Sequence, residues 1–481
     1  MLKQIRLLIL ITLAMGGSYQ PADAAAKPNV LFLICDDLNC DIGCYGHPQV
    51  KTPNIDRLAK RGVRFKNAYC QYPLCGPSRA SFMTGMYPDQ TLVRTNPVFV
   101  RQMVPNVVTL SQLFRQNGYF ATRIGKIFHY GVPGNIGSSG HDDPYSWDLA
   151  INPRGRDKDD EPLIFSVKPG EYGGYLSWLA AEGEDREQTD GIAVRTAARL
   201  IAEYGKTQKP FFLAVGLYRP HTPYVAPQKY FDLYPPEEMT IPEVPEGYLK
   251  TLPVPAQKKL TKKKEHFNLS KPLARQAKQA YYAAVTFADA QIGIVLEALE
   301  QAGLSDDTII VFTSDHGYHL GEHRHWLKTT LFENAARIPL IIAGPGIQAK
   351  GQSTSSLAEL TDLYPTLAEL CELEPPANLS GVSQAKTLSD PSRQARTSAL
   401  TQLKLNYSIR TPQFRYTEWG PQGTEGVELY DHQSDPEEMK NLAENPEYEQ
   451  VRQKLSRLLR QRVVEANRAP AGIKQVHFVG D

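Results

Sequence analysis

The sequence predicts an α/β fold with a large, mostly parallel sheet flanked by helices, followed by a smaller C-terminal α+β domain. Short apolar runs alternate with segments of helical periodicity, which is typical of a parallel sheet covered on both faces. A parallel sheet needs crossover connections, and the helical segments between the runs can supply them. The apolar runs, read as buried strands, are Asn29–Ile34, Pro210–Val215, Thr308–Thr313 and Pro339–Ala343.

The helices between these strands are predicted from their end signals. Thr52 and Pro53 are typical of the first residues of a helix, and glycine is typical of the position just after the last. Each predicted helix has such a glycine next to its end. The predicted spans are 53–61, 108–116 and 275–302.

The chain divides into a leader, a main domain and a C-terminal subdomain. The composition becomes polar after Gly381, which predicts a linker through about residue 396. Beyond it come strand-like stretches and a terminal helix from Pro446 to about Ala466. The predicted division is a signal peptide at 1–24, the main, catalytic domain at 25–385 and an α+β subdomain with a short antiparallel sheet at 386–481.

The N-terminus has the features of a secretory signal peptide. Lys3 and Arg6 precede an apolar run, and Ala22-Asp23-Ala24 offers a small-x-small cleavage site. The apolar run is shorter than the roughly 20 residues that span a bilayer. We therefore expect an exported protein, periplasmic or extracellular, with no membrane span.

The charge balance excludes bulk attraction to nucleic acid or membrane surfaces. Removing residues 1–24 takes away Lys3, Arg6 and Asp23, so the formal charge falls from +1 to zero. An anionic ligand therefore requires a local cluster of cations. The basic segment, residues 257–266 (QKKLTKKKEH), is either a solvated loop or a rim that contacts an anionic polymer.

Polar side chains follow three of the predicted strands. Asp36 and Asp37 follow the first, His221 comes after the second, and Asp315 and His316 follow the third. Because ligands bind beyond the carboxyl ends of strands in such sheets, we expect these residues to lie at one edge. The carboxylates are hard oxygen ligands suited to Ca²⁺ or Mg²⁺.

A histidine-rich segment offers an alternative metal. His319, Glu322 and His323 match the zinc pattern H-x-x-E-H, but Gly321 and the preceding strand argue against the long helix that this pattern requires. We expect these residues to line or support the site instead. Lys126 and His129 follow another strand-like run, and such cations beside a metal and a nucleophile favour phosphate or sulfate binding.

Cys75 raises the question of what an exported protein does with this thiol. The chain has six cysteines, too few for a disulfide scaffold, yet export permits some pairing. From cysteine usage alone, a disulfide and a chemical role for Cys75 both remain open.

The motif Cys75-Gly-Pro77-Ser78-Arg79, continuing to Thr84-Gly85, resembles the signature of type I sulfatases. The resemblance extends from PNVLFLICDD through TPNIDRLAKRGVRF to ELYDHQSDPEEMKNLA. It implies the alkaline-phosphatase-like sandwich fold. Within the family, GKIFH, FFLAVGLYRPHTPY and TSDHGYHLGEH most resemble iduronate-2-sulfatases.

The resemblance implies a specific chemistry. A formylglycine-generating maturation enzyme would oxidise Cys75 to Cα-formylglycine, and its hydrate, a geminal diol, would attack the sulfur of a sulfate ester. Conversion of Cys75 would leave five cysteines, so at least one would be free or unusually placed. The implied ligands of Ca²⁺ are residue 75 together with Asp36, Asp37, Asp315 and His316.

The resemblance also implies roles for the surrounding residues. Arg79 would anchor the diol, Lys126 would offset negative charge, and His129 would deprotonate the second hydroxyl. His221, as general acid, and Lys328 would bind the sulfate. The sugar, expected to be a 2-O-sulfated uronic acid, would contact Lys328, Trp326 and Tyr318, although Trp326 has an equally good explanation as a packing residue.

Other functions remain compatible with this sequence. They are a sulfatase for another sulfated polysaccharide, a formylglycine-dependent phosphonate or phosphate ester hydrolase, and a non-catalytic glycan-binding protein of the same fold. The last of these is disfavoured by the intact set of Cys75, Arg79, Lys126, His129, His221 and Lys328.

Overall fold

The computed structural model describes residues 27–207, 209–267 and 269–477, so the predicted signal peptide lies outside the described residues. Strands are numbered in chain order within these ranges. They are β1 (Asn29–Cys35), β2 (Gly62–Tyr69), β3 (Phe120–Gly125), β4 (Leu149–Ile151), β5 (Phe165–Ser166), β6 (Ser177–Ala181), β7 (Phe211–Leu217), β8 (Tyr224–Pro227), β9 (Thr308–Ser314), β10 (His319–Leu320), β11 (Trp326–Leu327), β12 (Arg337–Ala343), β13 (Ser353–Glu359), β14 (Ala399–Leu403), β15 (Asn406–Arg410), β16 (Phe414–Trp419) and β17 (Gly426–Asp431).

The α-helices of the described residues are numbered in the same way. They are α1 (Pro53–Ala59), α2 (Cys75–Thr84), α3 (Pro88–Thr91), α4 (Val100–Met103), α5 (Leu110–Gln116), α6 (Arg156–Asp159), α7 (Thr189–Tyr204), α8 (Gln228–Phe231), α9 (Val254–Leu260), α10 (Lys271–Gln301), α11 (Glu333–Ala336), α12 (Leu363–Leu370), α13 (Ala385–Ser389) and α14 (Glu449–Asn467).

The central sheet has eight strands in the order β13-β2-β12-β9-β1-β7-β3-β4. β12 runs antiparallel to its neighbours β9 and β2, whereas the other adjacent pairs are parallel. The predicted large, mostly parallel sheet is therefore confirmed. Its central strands β9, β1 and β7 are the ones that precede the polar segments of interest.

Both faces of this sheet are buried, as the continuous apolar runs predict. Successive side chains of β1 point to opposite faces. Leu31 and Leu33 pack in one core with residues of α7 and α10, while Phe32 and Ile34 pack in a second core with residues of α2, α5 and α12. Helices on both sides thus complete the predicted α/β sandwich.

The longest helix, α10, is apolar and long enough to cross a membrane by length and composition, but most of it is buried within the protein. It lies against α7 and β8 and contributes residues to the first core. α10 is therefore buried in the way that a core helix is. It starts four residues earlier than predicted, with Ser270 as the N-cap and Pro272 in its first turn.

The C-terminal part forms the predicted small antiparallel sheet, β14-β15-β16-β17, with α14 packed on it. Buried charges join it to the main domain. Arg462 of α14 donates to Glu359 at the end of β13 (2.9 Å) and to the Ser398 carbonyl (2.9 Å). The predicted division at residue 385 falls at the first residue of α13, and it stays a prediction.

Candidate active site

The ends of β1 and β9 place three carboxylates side by side. The strands are parallel, with Cys35 opposite Ser314, so Asp36 and Asp315 follow at the same level. The backbone N–H of Asp37 donates to Asp315 Oδ1 at 3.2 Å. The predicted convergence of strand-end carboxylates is therefore present in the structure.

Cys75 is the first residue of α2 and lies against these carboxylates. Its Sγ is 3.4 Å from His316 Nε2, 3.3 Å from Lys328 Nζ and 3.9 Å from Asp37 Oδ1. The side chain is fully buried. Burial, and next the charge of Asp36, raise the pKa of the thiol well above its ordinary value, so the group at 75 is a neutral thiol before any modification.

Arg79, one turn further along α2, contacts two of these carboxylates. Its Nε donates to Asp315 Oδ2 at 2.9 Å, and Nη2 donates to Asp36 Oδ1 at 3.1 Å. Nη1 donates to the carbonyls of Lys126 and Ile127. Four of its five N–H groups thus contact protein acceptors, which leaves one at Nη2 for the predicted contact with residue 75.

Lys126 reaches the same carboxylates from the end of β3. Its Nζ donates to Asp36, and both side chains are buried. Burial alone raises the pKa of Asp36, but the charges of Lys126 and Arg79 outweigh burial and hold the pKa well below its usual value. Asp36 is therefore ionised and available to a metal.

Asp37 and His316 present further lone pairs to this cluster. Asp37 Oδ2 is buried without a hydrogen-bond partner among the described residues. Burial raises the pKa of Asp37 to about 7, opposed by Lys328. His316 Nδ1 donates to the Gly317 carbonyl at 2.9 Å, so its Nε2 lone pair faces Asp37 Oδ1 at 3.3 Å and Asp315 Oδ2 at 3.6 Å.

Two further histidines flank this cluster. His221 Nε2 is 3.7 Å from Asp37 Oδ2, and its Nδ1 donates to the Thr222 carbonyl at 2.5 Å. Burial and Lys328 hold the pKa of His221 well below its ordinary value. Burial and Lys126 likewise lower the pKa of His129 to about 2, and its buried Nδ1 has no partner among the described residues. Both imidazoles are therefore neutral.

A cavity of about 600 Å³ opens above the cluster. Four of the predicted site residues line it, namely His129, His221, Trp326 and Lys328. Its volume suits a sugar-sized ligand. The sequence analysis did not assign several of its wall residues, among them Asn96, Tyr172 and His325. The basic segment is visible in the sequence as a run of lysines. Its place at this cavity depends on loop packing, which no sequence pattern reveals.

Tyr318 packs among other aromatic side chains. It is fully buried, its hydroxyl hydrogen-bonds that of Tyr224 at 2.7 Å, and its ring stacks on Tyr281 at 5.3 Å between centroids. It is absent from the described lining of the cavity above Cys75. Its side chain packs against Tyr224 and Tyr281 and does not reach this cavity in the structure, so the sugar contact stays a prediction.

The histidine-rich segment does not form the alternative zinc site. His319 Nε2 pairs with Thr330 Oγ1 at 2.7 Å, and His323 Nδ1 accepts from the Tyr248 hydroxyl. Glu322 accepts from the backbone of Leu320 at 2.6 Å. The three side chains therefore have separate partners and support the loop that leads to Lys328.

All six cysteines are free thiols in the structure, so the disulfide alternative for Cys75 is not observed. Cys75 instead belongs to two groups of possible metal ligands. One is Asp36, Asp37, Cys75 and His221, and the other is Cys75, Asp315 and His316. The Cys75 side chain lies next to hard oxygen donors and beneath a basic cavity. This arrangement suits the hydrolysis of an anionic ester.

Comparison with known proteins identifies the class of enzyme. The family described as Sulfatase matches residues 28–373, and the family described as N-sulphoglucosamine sulphohydrolase, C-terminal, matches residues 321–465. The fold and site define a hydrolase of the alkaline-phosphatase-like fold. Within that class, this chain belongs to the sulfatase family.

Curated relatives cover most of the chain. The iduronate 2-sulfatase of Mus musculus is 33% identical over 490 residues, covering 85% of this chain and 87% of the relative. The choline-sulfatase of Rhizobium meliloti is 31% identical, covering 87% of this chain and 83% of the relative. The delta 4,5-hexuronate-2-O-sulfatase of Bacteroides thetaiotaomicron is 29% identical, covering 89% and 87%.

Solved structures support the same fold. A 2-O GAG sulfatase aligns with a TM-score of 0.72 and 25% identity, covering 92% of this chain and 93% of that one. The phosphonate monoester hydrolase of Agrobacterium radiobacter aligns with a TM-score of 0.73 and 22% identity, covering 92% and 96%, and shows the fold alone. The chain is thus a sulfatase, with sulfated sugars as the substrate class that its relatives support.

Proposed function

We propose that this enzyme removes the 2-O-sulfate from a terminal uronic acid of a sulfated carbohydrate, using formylglycine at position 75 and Ca²⁺, after export from the cytoplasm. The observation that carries the proposal is the position of residue 75. Its Sγ lies against His316, Lys328 and Asp37, and Lys328 lines the basic cavity above it.

The residues present fit a hard divalent cation. The donors are carboxylate oxygens of Asp36, Asp37 and Asp315 and the Nε2 lone pair of His316, and one carboxylate oxygen is buried without a partner. Ca²⁺ at this position would polarise the sulfate and lower the pKa of a hydroxyl at residue 75. Arg79 keeps two of these carboxylates in register.

The side chains around residue 75 suit sulfate ester hydrolysis. Formylglycine would supply a hydrated aldehyde hydroxyl as the nucleophile. Lys126 and Lys328 place positive charge beside the position that the sulfate would occupy. Neutral His129 can accept a proton, while an anionic sulfate next to His221 would raise the pKa of this imidazole and favour its role as proton donor.

Uronate specificity is supported by the relatives and by the cavity. Two of the relatives are named for 2-O-sulfate or iduronate 2-sulfate removal. Trp326 and Lys328 line the cavity next to residue 75, so a sugar ring can pack on the first while its carboxylate lies near the second. The lysines at the cavity disfavour a cationic alcohol such as choline.

The test measures inorganic sulfate released from a disaccharide with a non-reducing-end 2-O-sulfated uronic acid. The protein is co-expressed with a formylglycine-generating enzyme, and mass spectrometry of the peptide containing residue 75 verifies the modification. Cys75→Ala is expected to lower sulfate release by about 10³-fold or more without unfolding the protein. Cys40→Ala, at a half-buried cysteine outside this cavity, serves as the matched control.

The outcomes separate the alternatives. Release from other sulfated sugars but not from this disaccharide would contradict the uronate assignment alone. Phosphonate ester hydrolysis faster than sulfate ester hydrolysis would favour the phosphonate hydrolase. Unchanged sulfate release in Cys75→Ala would contradict the nucleophile, and glycan binding without turnover by verified formylglycine protein would favour a binding protein.

Export is tested separately. We expect the protein in the periplasm or medium to begin near Ala25 when its N-terminus is sequenced. A cytoplasmic protein that retains Met1 would contradict the exported location and leave the chemistry unaffected.

A further inference from the structure

The basic segment lies at the rim of the active-site cavity. Lys259, in the last turn of α9, and Lys262 and Lys263, just after it, line the cavity whose base contains Lys328. Lys259 and Lys263 are half-buried, and Lys262 is exposed. Of the two alternatives left open by the sequence, the structure favours a rim over a remote solvated loop.

These three lysines lack neutralising partners. Across residues 27–207, 209–267 and 269–477, none of their ammonium groups lies within 4.0 Å of a carboxylate oxygen. Glu161, an acidic residue of the cavity wall, pairs with Lys158 instead. Burial, Lys328 and Lys262 lower the pKa of Lys263 to about 8, opposed by Glu265. Positive charge therefore accumulates at the rim without a paired carboxylate from the described residues.

The rim is held in a defined position relative to the reacting group. Lys263 Nζ donates to the Gly174 carbonyl on the opposite wall and lies 4.4 Å from the centre of the Tyr175 ring. His325 lies between the rim and the base, because its Nδ1 is 3.3 Å from the Leu260 carbonyl and its Nε2 is 3.2 Å from the Lys328 carbonyl. The lysines are therefore part of a built cavity wall.

We infer that Lys259, Lys262 and Lys263 form a second anion subsite, which binds a sulfate or carboxylate on the sugar next to the one that loses its sulfate. The inference rests on the proposed carbohydrate sulfatase function and narrows it. The substrate class becomes an oligosaccharide with at least two anionic groups, one at residue 75 and one at the rim. A small sulfate ester engages only the base of the cavity.

The test compares two disaccharides that share a non-reducing-end 2-O-sulfated uronic acid and differ in whether the second sugar is sulfated. In the variant Lys259→Gln/Lys262→Gln/Lys263→Gln, kcat/KM for the doubly sulfated disaccharide is expected to fall about tenfold, and for the singly sulfated one less than threefold. Raising NaCl should reduce the preference of the unsubstituted enzyme for the doubly sulfated disaccharide.

The control variant is Lys250→Gln/Lys258→Gln/Lys264→Gln, which removes the same charge from exposed lysines of the same region that do not line the cavity. It should leave both kcat/KM values within twofold. An equal loss for both disaccharides, or an equal loss in both variants, would overturn the subsite, because it would indicate a general effect of charge or folding.

A binding measurement tests the rim subsite independently of the proposed reaction. Calorimetry with Cys75→Ala protein and the doubly sulfated disaccharide is expected to give an affinity about tenfold lower when the three rim lysines are replaced. If neither disaccharide is hydrolysed but this difference is present, the uronate reaction is contradicted and the subsite stands. An unchanged affinity, or no binding to the intact rim, overturns the subsite.

Discussion

At the scale of single residues, the close approach of two glycines determines where Lys126 lies. A Cβ on Gly216 would lie 2.0 Å from the Lys126 carbonyl oxygen, and one on Gly125, where φ is +72°, would lie 2.2 Å from the Gly216 carbonyl. The ends of β3 and β7 can therefore approach only without side chains, and this approach brings Lys126 to Asp36.

Gly216→Ala is expected to lower the free energy of unfolding by about 1–3 kcal/mol, because the backbone must move to accept the methyl group. The shift of Lys126 should also lower the rate of sulfate release. Urea denaturation and a sulfate assay measure the two effects. Gly205→Ala, where a Cβ meets atoms no closer than 3.5 Å, is the control. A Gly216→Ala protein with unchanged stability would contradict the steric argument.

Glu428 makes stability depend on pH. Burial raises its pKa to about 7, although Trp419 Nε1 and the Tyr430 hydroxyl donate to it at 2.6 and 2.8 Å. A carboxyl group with a raised pKa binds its proton more tightly in the folded state, so the folded state loses stability as the pH rises from about 4.5 through about 7.

Between pH 5 and pH 8, the free energy of unfolding should therefore decrease less in Glu428→Gln than in the unsubstituted protein. The two decreases should differ by roughly 2–3 kcal/mol. Denaturation at several pH values measures the difference. Glu425→Gln, at an exposed position nearby, should follow the unsubstituted protein. Parallel pH profiles for Glu428→Gln and the unsubstituted protein would show that Glu428 is ionised throughout.

The sequence predicted the central site residues because their positions follow from strand topology. Asp36, Asp37, Asp315 and His316 come directly after strands that a parallel sheet must align. The direction of Tyr318 could not be predicted in this way. It belongs to a turn beyond the strand, where no periodicity specifies which side chain faces the cavity.

At the scale of elements, α14 is attached to the main domain through Arg462. The guanidinium contacts Glu359, the Tyr87 hydroxyl and the Ser398 carbonyl, and it is nearly buried. Arg462→Met should lower the free energy of unfolding by about 3 kcal/mol, because Glu359 would keep only Arg396 as a charged partner.

Urea denaturation measures this loss, and Arg457→Met on the exposed side of the same helix serves as the comparison. The comparison variant should stay within about 0.5 kcal/mol of the unsubstituted protein. Equal effects from the two substitutions would indicate that helix propensity, and not the buried contact with Glu359, determines the stability.

Two strands of the central sheet that the sequence analysis missed, β2 and β13, have a common feature. β2 contains Arg64, Lys66 and Asn67, and β13 begins with four residues that are serine or threonine. Both lie toward one side of the sheet, where only part of each strand is buried. A continuous apolar run identifies a buried strand such as β1, β7 or β9. The sequence therefore predicted the strands at the centre of the sheet and missed β2 and β13.

At the scale of the whole molecule, metal binding should stabilise the fold, because the proposed ligands come from the ends of two central strands. Adding Ca²⁺ after treatment with a chelator is expected to raise the melting temperature by about 2–5 °C. The increase should be lost in Asp315→Asn and kept in Asp306→Asn, an exposed acid at the other end of β9. Identical melting temperatures with and without Ca²⁺ would contradict a calcium site.

The overall charge of the chain conceals how its charges are distributed. The formal charge is only +1, yet Lys259, Lys262, Lys263 and Lys328 share one cavity. Composition argued against a bulk electrostatic attraction to nucleic acid but could not locate this cluster. Its location depends on how residues 254–263 pack against the loops around Gly174 and His325.

The burial of Cys75 also has a consequence for the maturation of the protein. In the folded chain, its side chain, at the start of α2 and against the carboxylates, is inaccessible to solvent. Under the proposed function, an enzyme that converts this residue must therefore reach it while the segment is still extended, before the sheet closes over it. Folding and maturation would then compete in time, and any molecule that folded first would be permanently inert, however well folded it was.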